Sequence, residues 1–281
     1  MATLVDYRLN RQLSKVSSRM NPIAIACKHE NFENCLALAA THGIGLEIQS
    51  FAFPPLLNDD EWEGMVAKYA NQLQSFSGTV ALHGAFMDMA PGSPDKSFLD
   101  VTRQRTLRDF EIAHRLNTKI VNFHANFIAT IHNDDYREGW TKRMVEFYKP
   151  IAREAEKMGL CVVLENMWEF DPSIIRRVLE EVGSSALAAC LDIGHSQLFS
   201  HLLLEDWLQD LNDWIAHIHI NNNYGEIDEH LALDDGVLDY EKILPRLAEL
   251  PRTPTIVLEI ERIEDIEHSL SFFKLPHSEK S

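Results

Sequence analysis

Three carboxylates stand inside apolar runs: Glu165 in VVLENM, Asp192 in AACLDIGH and Glu259 in IVLEIE. Burying a carboxylate is costly unless it meets a cation or several hydrogen-bond donors. Histidines occur in the same kind of place. His83 closes TVALH, His124 closes KIVNFH, His195 follows Asp192 by one short turn, and His219 lies in IAHIHI. The stretch HIHINNNYGEIDEHLALDDG (217–236) then packs three histidines, three asparagines, three aspartates and two glutamates into 20 positions, Asp228 and His230 among them. Three buried acids surrounded by imidazoles imply a divalent metal more readily than three separate structural accidents. Nitrogen and oxygen donors without thiolates suit Zn²⁺, Mn²⁺, Co²⁺ or Fe²⁺.

Such donors need a scaffold that aims them at one place. Eight short β-branched runs recur along the chain: 23–27, 44–48, 79–83, 119–124, 160–165, 187–192, 215–220 and 255–260. Amphipathic segments alternate with them. Leu99, Leu107, Phe110, Ile112 and Leu116 fall at helical spacing within 97–117. A second helix is predicted over 135–159, where Pro150 should kink or break it. A third, over 171–183, opens on Asp-Pro and closes on Gly183. Helices at 202–213, 239–249 and 264–274 complete the alternation. Eight βα units in this length predict a single-domain α/β protein, a (β/α)₈ TIM barrel over 23–276. Residues 1–22 stand outside the repeat as an N-terminal extension, and 277–281 form a tail. No G-x-G-x-x-G or Walker loop argues for a doubly wound sheet. In a barrel, strand C-termini share one mouth, so the nine imidazoles and carboxylates, with Glu47 at the end of the second strand, converge there.

The motifs ALHGAFMDM (81–89), NFHANF (122–127), LENMWEF (164–170), CLDIGH (190–195), HIHINN (217–222), DEHLALDDGVLDY (228–240) and VLEI (257–260) stand in an informative order and spacing. The chain resembles the xylose-isomerase-like barrel superfamily, which includes sugar isomerases and epimerases, inosose dehydratase and endonuclease IV. The resemblance covers nearly all of 23–274. It implies a single-metal site of Glu165, Asp192, His219 and Glu259; His217, two residues earlier on the same strand face, either supports His219 or is structural. The endonuclease IV pattern implies more: His83 and His124 hold a second ion with Glu165, His195 joins Asp192, and Asp228 with His230 completes a trinuclear site. One to three divalent ions are therefore expected.

Two reaction classes follow. The first is a sugar, sugar phosphate or polyol isomerase or epimerase. Glu165 and Glu259 face one another across the mouth as proton-transfer residues, the metal polarises a carbonyl, and His195 holds a substrate oxygen. Phe53, Phe86, Phe127 and Trp168 occupy loops where a sugar face could pack, and Lys28 and Glu47 complete the expected substrate contacts. The second is hydrolysis of a phosphodiester such as abasic DNA by a metal cluster. A net charge of −17 argues against a nucleic-acid partner, so a small sugar or sugar phosphate is the expected partner. No apolar run approaches the roughly 20 residues that span a bilayer, and the N-terminus lacks a secretory pattern. Four cysteines without a CxxC pair fit buried free thiols in a cytoplasmic protein. A homo-oligomer is compatible with all of this.

Overall fold

The computed structural model describes residues 21–53, 56, 61–273 and 275. Among them, eight parallel strands close into a barrel in sequence order. They are β1 (Ile23–Cys27), β2 (Gly45–Ile48), β3 (Val80–His83), β4 (Ile120–His124), β5 (Cys161–Glu165), β6 (Leu187–Asp192), β7 (Ile215–Ile220) and β8 (Thr255–Leu258). The connecting helices are α1 (Phe32–His42), α2 (Trp62–Gln72), α3 (Lys96–Arg115), α4 (Asp134–Met158), α5 (Ser173–Val182), α6 (Ile193–Phe199), α7 (Leu204–Leu211), α8 (Tyr240–Leu247) and α9 (Ile263–Ser269). Most of the expected N-terminal extension and tail lies outside the described residues. No described helix is long and apolar enough to cross a membrane, and all four cysteines are free.

Period-two alternation explains how apolar strands carry inward polar side chains. Leu46, Ile48, Leu82, Val121, Phe123, Val162, Leu164, Ile218 and Ile220 point outward into the main core beneath the helices. The intervening side chains fill the barrel. Low in the interior they are small, as with Ala24, Ala26 and Val257, or Val163, Ala188 and Cys190. Toward the strand C-termini the inward positions become Glu47, Asn122, Glu165, His217 and His219, all fully buried. Register sets their height: His124 pairs with Glu165 across β4–β5, and Asp192 with His219 across β6–β7.

Two local expectations need correction. α4 runs continuously through Pro150. The lost backbone hydrogen bond is offset by a long buried face, including Met144, Phe147, Tyr148, Ile151 and Ala155. Glu259 lies just beyond β8 rather than inside it. Gly183 at φ 63° does close α5, and Asp171 accepts from Ser173 N at 2.8 Å at its start.

Candidate metal centre

β3, β4 and β5 deliver the first group. His83 Nε2 and His124 Nε2 lie 3.3 Å apart, and 3.5 and 3.4 Å from Glu165 Oε2. His83 Nδ1 sits 2.9 Å from the carbonyl of Gly84. A carbonyl only accepts, so Nδ1 carries a proton and Nε2 faces the cavity. The second group adds β6, β7 and the end of β8. His219 Nδ1 lies 2.9 Å from Glu259 Oε2, 3.3 Å from Glu165 Oε1 and 3.9 Å from Asp192 Oδ2. The third uses α6 and the loop after β7. Asp228 Oδ2 accepts from His195 Nε2 at 3.2 Å and from His230 Nε2 at 2.9 Å. Here too Nδ1 is anchored to a carbonyl: Asn166 O for His195 and Glu259 O for His230, at 2.9 and 2.8 Å.

The loop between Ile220 and Tyr240 folds back because its asparagines replace absent secondary structure. All three of Asn221, Asn222 and Asn223 are fully buried. Asn222 donates through Nδ2 to Leu233 O and Leu238 O at 2.9 and 3.0 Å, and its backbone exchanges two hydrogen bonds with Leu231. Gly236 leaves no choice of residue. A Cβ there would meet Asn222 Oδ1 at 2.3 Å. The fold-back carries Asp228 and His230 to the mouth.

Ligand atoms in each group lie within 4.8 Å of one another. Glu165 Oε1, Glu259 Oε2, His219 Nδ1 and Asp228 Oδ1 are buried without a hydrogen-bond partner. Such orphans are costly unless something else satisfies them. Electrostatics points the same way. Burial opposes a charge on His195, but Asp192 and then Asp228 outweigh it and raise its pKa to about 10. Burial likewise opposes a charged His230, which its contact with Asp228 raises to about 9. His83, desolvated but facing Glu165, rises to about 8. Burial and the neighbouring Glu165 and Glu259 push Asp192 up to about 7, against the pull of His195. Burial also resists ionisation of Glu259, yet His219 holds it down at about 2. The carboxylates thus demand positive charge, and a divalent cation meets that demand better than scattered protons. The residues fit hard or borderline ions bound by nitrogen and oxygen. Cys190 also approaches Glu165 and His219, but burial pushes its thiol far up, so it stays protonated.

All nine expected ligands therefore meet at one mouth. Seven of them, all but Asp192 and His219, line a cavity of about 150 Å³ also walled by Lys28, Phe53 and Phe86. Lys28 Nζ is paired with Glu261 at 2.6 Å. Three expected substrate contacts lie elsewhere. Phe127 is buried among Tyr136, Trp140 and Phe170 in the core. Trp168 is 40% exposed and does not wall the cavity. Glu47 is fully buried below the mouth, against His217 and His219. Several side chains that hold ligands escape sequence reasoning. Gln49 Nε2 donates to Glu259 Oε1 at 2.5 Å, Asn122 donates to Glu165, and Asn166 brackets the backbone of Asp192 with two 2.9 Å bonds. Gln49 and Asn122 each stand two residues from a polar inward position, a spacing that could have found them. Glu169, accepting from Phe127 N and Met167 N, carries no such signal.

The family described as xylose isomerase-like TIM barrel matches residues 30–275. The chain belongs to this family. A Methanocaldococcus jannaschii protein of uncharacterised function, MJ1614, is 26% identical over 198 residues, covering 69% of this chain and 76% of that protein. Among solved structures, the TTHB071 protein from Thermus thermophilus, soaked with ZnCl₂, superposes with a TM-score of 0.75 at 26% identity. That match covers 89% of this chain and 95% of the other. A D-tagatose 3-epimerase-like protein gives a TM-score of 0.74 at 20% identity, over 89% and 94% of the two chains. This last likeness bears on the fold of the barrel family and not on the reaction.

Proposed function

We propose that the chain is an enzyme that hydrolyses a small phosphoester at a cluster of divalent ions. The observation that carries this is the complete nine-residue set, in which five residues beyond the Glu165–Asp192–His219–Glu259 quartet also turn ligand atoms toward the same mouth. In a one-ion isomerase His83, His124, Asp228 and His230 would serve only as substrate contacts on the cavity wall, whereas in a cluster each would be a ligand. Charge favours the same choice. Three divalent ions against the four carboxylates of the set leave a formal surplus of two positive charges, which attracts a phosphate. One ion against the quartet's three carboxylates leaves a formal deficit of one, which repels it. Closely spaced ions, held by these residues, would supply charge stabilisation for an in-line displacement at phosphorus. The protein's own part is to fix that spacing and shape the substrate. Lys28 offers an ammonium to an anionic group once it leaves Glu261, and Phe53 and Phe86, in edge-to-face contact at 5.5 Å, form an apolar wall. With a net charge of −17, sugar phosphates or other small phosphoesters suit the mouth better than DNA.

A second reading, sugar isomerisation or epimerisation, is favoured by one specific observation. His219 Nδ1 sits between Glu165 and Glu259, at 3.3 and 2.9 Å, so two carboxylates flank the deep end of the site as a proton-transfer pair. One experiment separates the readings. The metal-loaded protein is incubated in D₂O with a panel of sugar phosphates, bis(p-nitrophenyl) phosphate and an abasic duplex. Phosphate release or ester cleavage abolished by chelation, without deuterium beside any carbonyl, is expected. Sugar interconversion with solvent deuterium and no ester cleavage favours the second reading.

A further inference from the structure

β2 contributes no ligand to the nine, yet the polar residues Glu47, within it, and Gln49, just past its end, both touch ligands. Glu47 is fully buried and lies 3.0 Å from His219 Nε2 through Oε1, while Oε2 accepts from His217 Nε2 at 2.6 Å. Two residues on, Gln49 is 4% exposed and donates to Glu259 Oε1 at 2.5 Å. Neither contact is needed to close the barrel, because β2 already pairs with β1 and β3 through its backbone. A buried acid is stable only when paired and hydrogen-bonded. Here two imidazoles from β7 do the pairing.

We propose that β2 is the buttress of the metal centre, with Glu47 and Gln49 as positioning residues that aim His219 and Glu259. The inference rests on the metal-binding part of the function proposed above. His219 Nε2 and Glu47 Oε1 make a 3.0 Å charge contact that lies off the hydrogen-bond direction; the carboxylate still favours a proton on that nitrogen, which leaves the Nδ1 lone pair to face Glu165 and Glu259. With the proton on Nδ1 instead, that nitrogen could not ligate an ion, and Nε2 would oppose the Glu47 carboxylate as a second lone-pair group at 3.0 Å. A carboxylate on the far nitrogen also makes the imidazole a stronger donor. His217 has a different task. It satisfies the second oxygen of Glu47, so that Glu47 does not rotate away from His219. Gln49 plays the matching part on the ligand that follows β8. By engaging Oε1 of Glu259, it leaves Oε2, an atom with no other hydrogen-bond partner, turned toward His219 Nδ1.

The test is zinc affinity, measured by competition with a chromophoric chelator, together with the visible spectrum of the Co²⁺-substituted protein. Glu47→Gln keeps the shape of the side chain and removes its charge. It is expected to weaken zinc roughly 10–100-fold and to change the Co²⁺ spectrum, with metal-free thermal unfolding close to that of the parent. Gln49→Met removes the amide from Glu259 and should also weaken zinc. His217→Gln retains a donor for Glu47 and should keep affinity close to the parent's, which a purely volumetric role for β2 does not predict. Parent-like zinc affinity and an unchanged Co²⁺ spectrum in both Glu47→Gln and Gln49→Met would overturn the buttress. A parent protein that takes up no zinc would instead overturn the metal centre itself, so the two failures are distinguishable. If Glu47→Gln proves too unstable to purify, Gln49→Met decides the matter at Glu259: weaker zinc supports the buttress and parent-like zinc overturns it.

Discussion

Asp192 performs two tasks with one carboxylate. Oδ1 caps α6 by accepting from His195 N at 2.5 Å, while Oδ2 faces His219 Nδ1 at 3.9 Å. Asparagine is as good a helix cap as aspartate but a poor metal ligand. Asp192→Asn should therefore keep its thermal midpoint in chelator within a few degrees of the parent and lose most bound metal. Asp192→Ala should fold with roughly 1 kcal/mol less stability as well. Unfolding of both variants would show that Asp192 serves the fold alone. Protons give a second prediction at this scale. With pKa values raised to about 10 and 9, His195 and His230 carry protons at pH 7 in the metal-free protein. A ligand must shed its proton to bind a metal. Loading the site at pH 7 should therefore release about two protons from this pair, and affinity should climb as pH rises toward 9. Calorimetry in buffers of different ionisation enthalpy measures this directly, and metal uptake without proton release contradicts it. The candidate ligands are legible in sequence because a carboxylate in an apolar strand is conspicuous. Phe127 is not, because an aromatic after a strand looks the same whether it meets substrate or, as here, packs on Trp140.

Elements, rather than single residues, decide how close the donors come. α6 begins immediately after β6, and Gly194 in its first turn lets β7's extension pass. A Cβ at 194 would lie 2.3 Å from Asn221 Oδ1, and Asn221 Nδ2 reaches Asp192 Oδ2 at 3.4 Å. Gly194→Ala must displace Asn221 from Asp192. The expected cost is about 1–3 kcal/mol in chemical denaturation, accompanied by weaker metal binding. A fully stable, fully loaded variant would mean that Asn221 does not hold Asp192 in place. Strands are readable almost residue for residue, since short β-branched runs bounded by polar residues recur eight times. Helix ends shift by a residue or two where caps compete, except that α9 closes at Ser269, five residues short of the expected 274, and gives way to a 3-10 turn over Leu270–Phe272. α6 itself reads in sequence only as a turn, because a seven-residue helix shows too little periodicity to stand out. Of the kink or break expected at Pro150, the break is absent because tertiary burial of α4 outweighs one missing hydrogen bond. For side chains that merely hold ligands, such as Gln49 and Asn122, the sequence offers only their two-residue spacing from Glu47 and His124, and what each one touches depends on the strand register.

At the scale of the whole molecule, a chain with net charge −17 closes its barrel around the four acids of the candidate set and Glu47, of which Glu47, Glu165 and Asp192 are fully buried. Cations bound at the mouth relieve that repulsion, and any ligand that binds only the folded state stabilises it. Removing metal should accordingly lower the thermal midpoint, by an amount that grows with affinity. The closed barrel and its alternating pattern are evident from sequence, as is the end of the barrel that carries the site. The separation of the three ligand groups is not, because it depends on strand stagger and on the loop pinned by Asn222. Whether all nine side chains hold a cluster rather than a single ion is tested most directly by a crystal of protein reconstituted with excess Zn²⁺. Anomalous differences are collected above the zinc edge, with elemental analysis of the same preparation. Peaks are predicted at His83–His124–Glu165, at Glu165–Asp192–His219–Glu259 and at His195–Asp228–His230, with neighbouring ions roughly 3.5–4 Å apart. A single peak confined to the quartet, or none, contradicts the cluster.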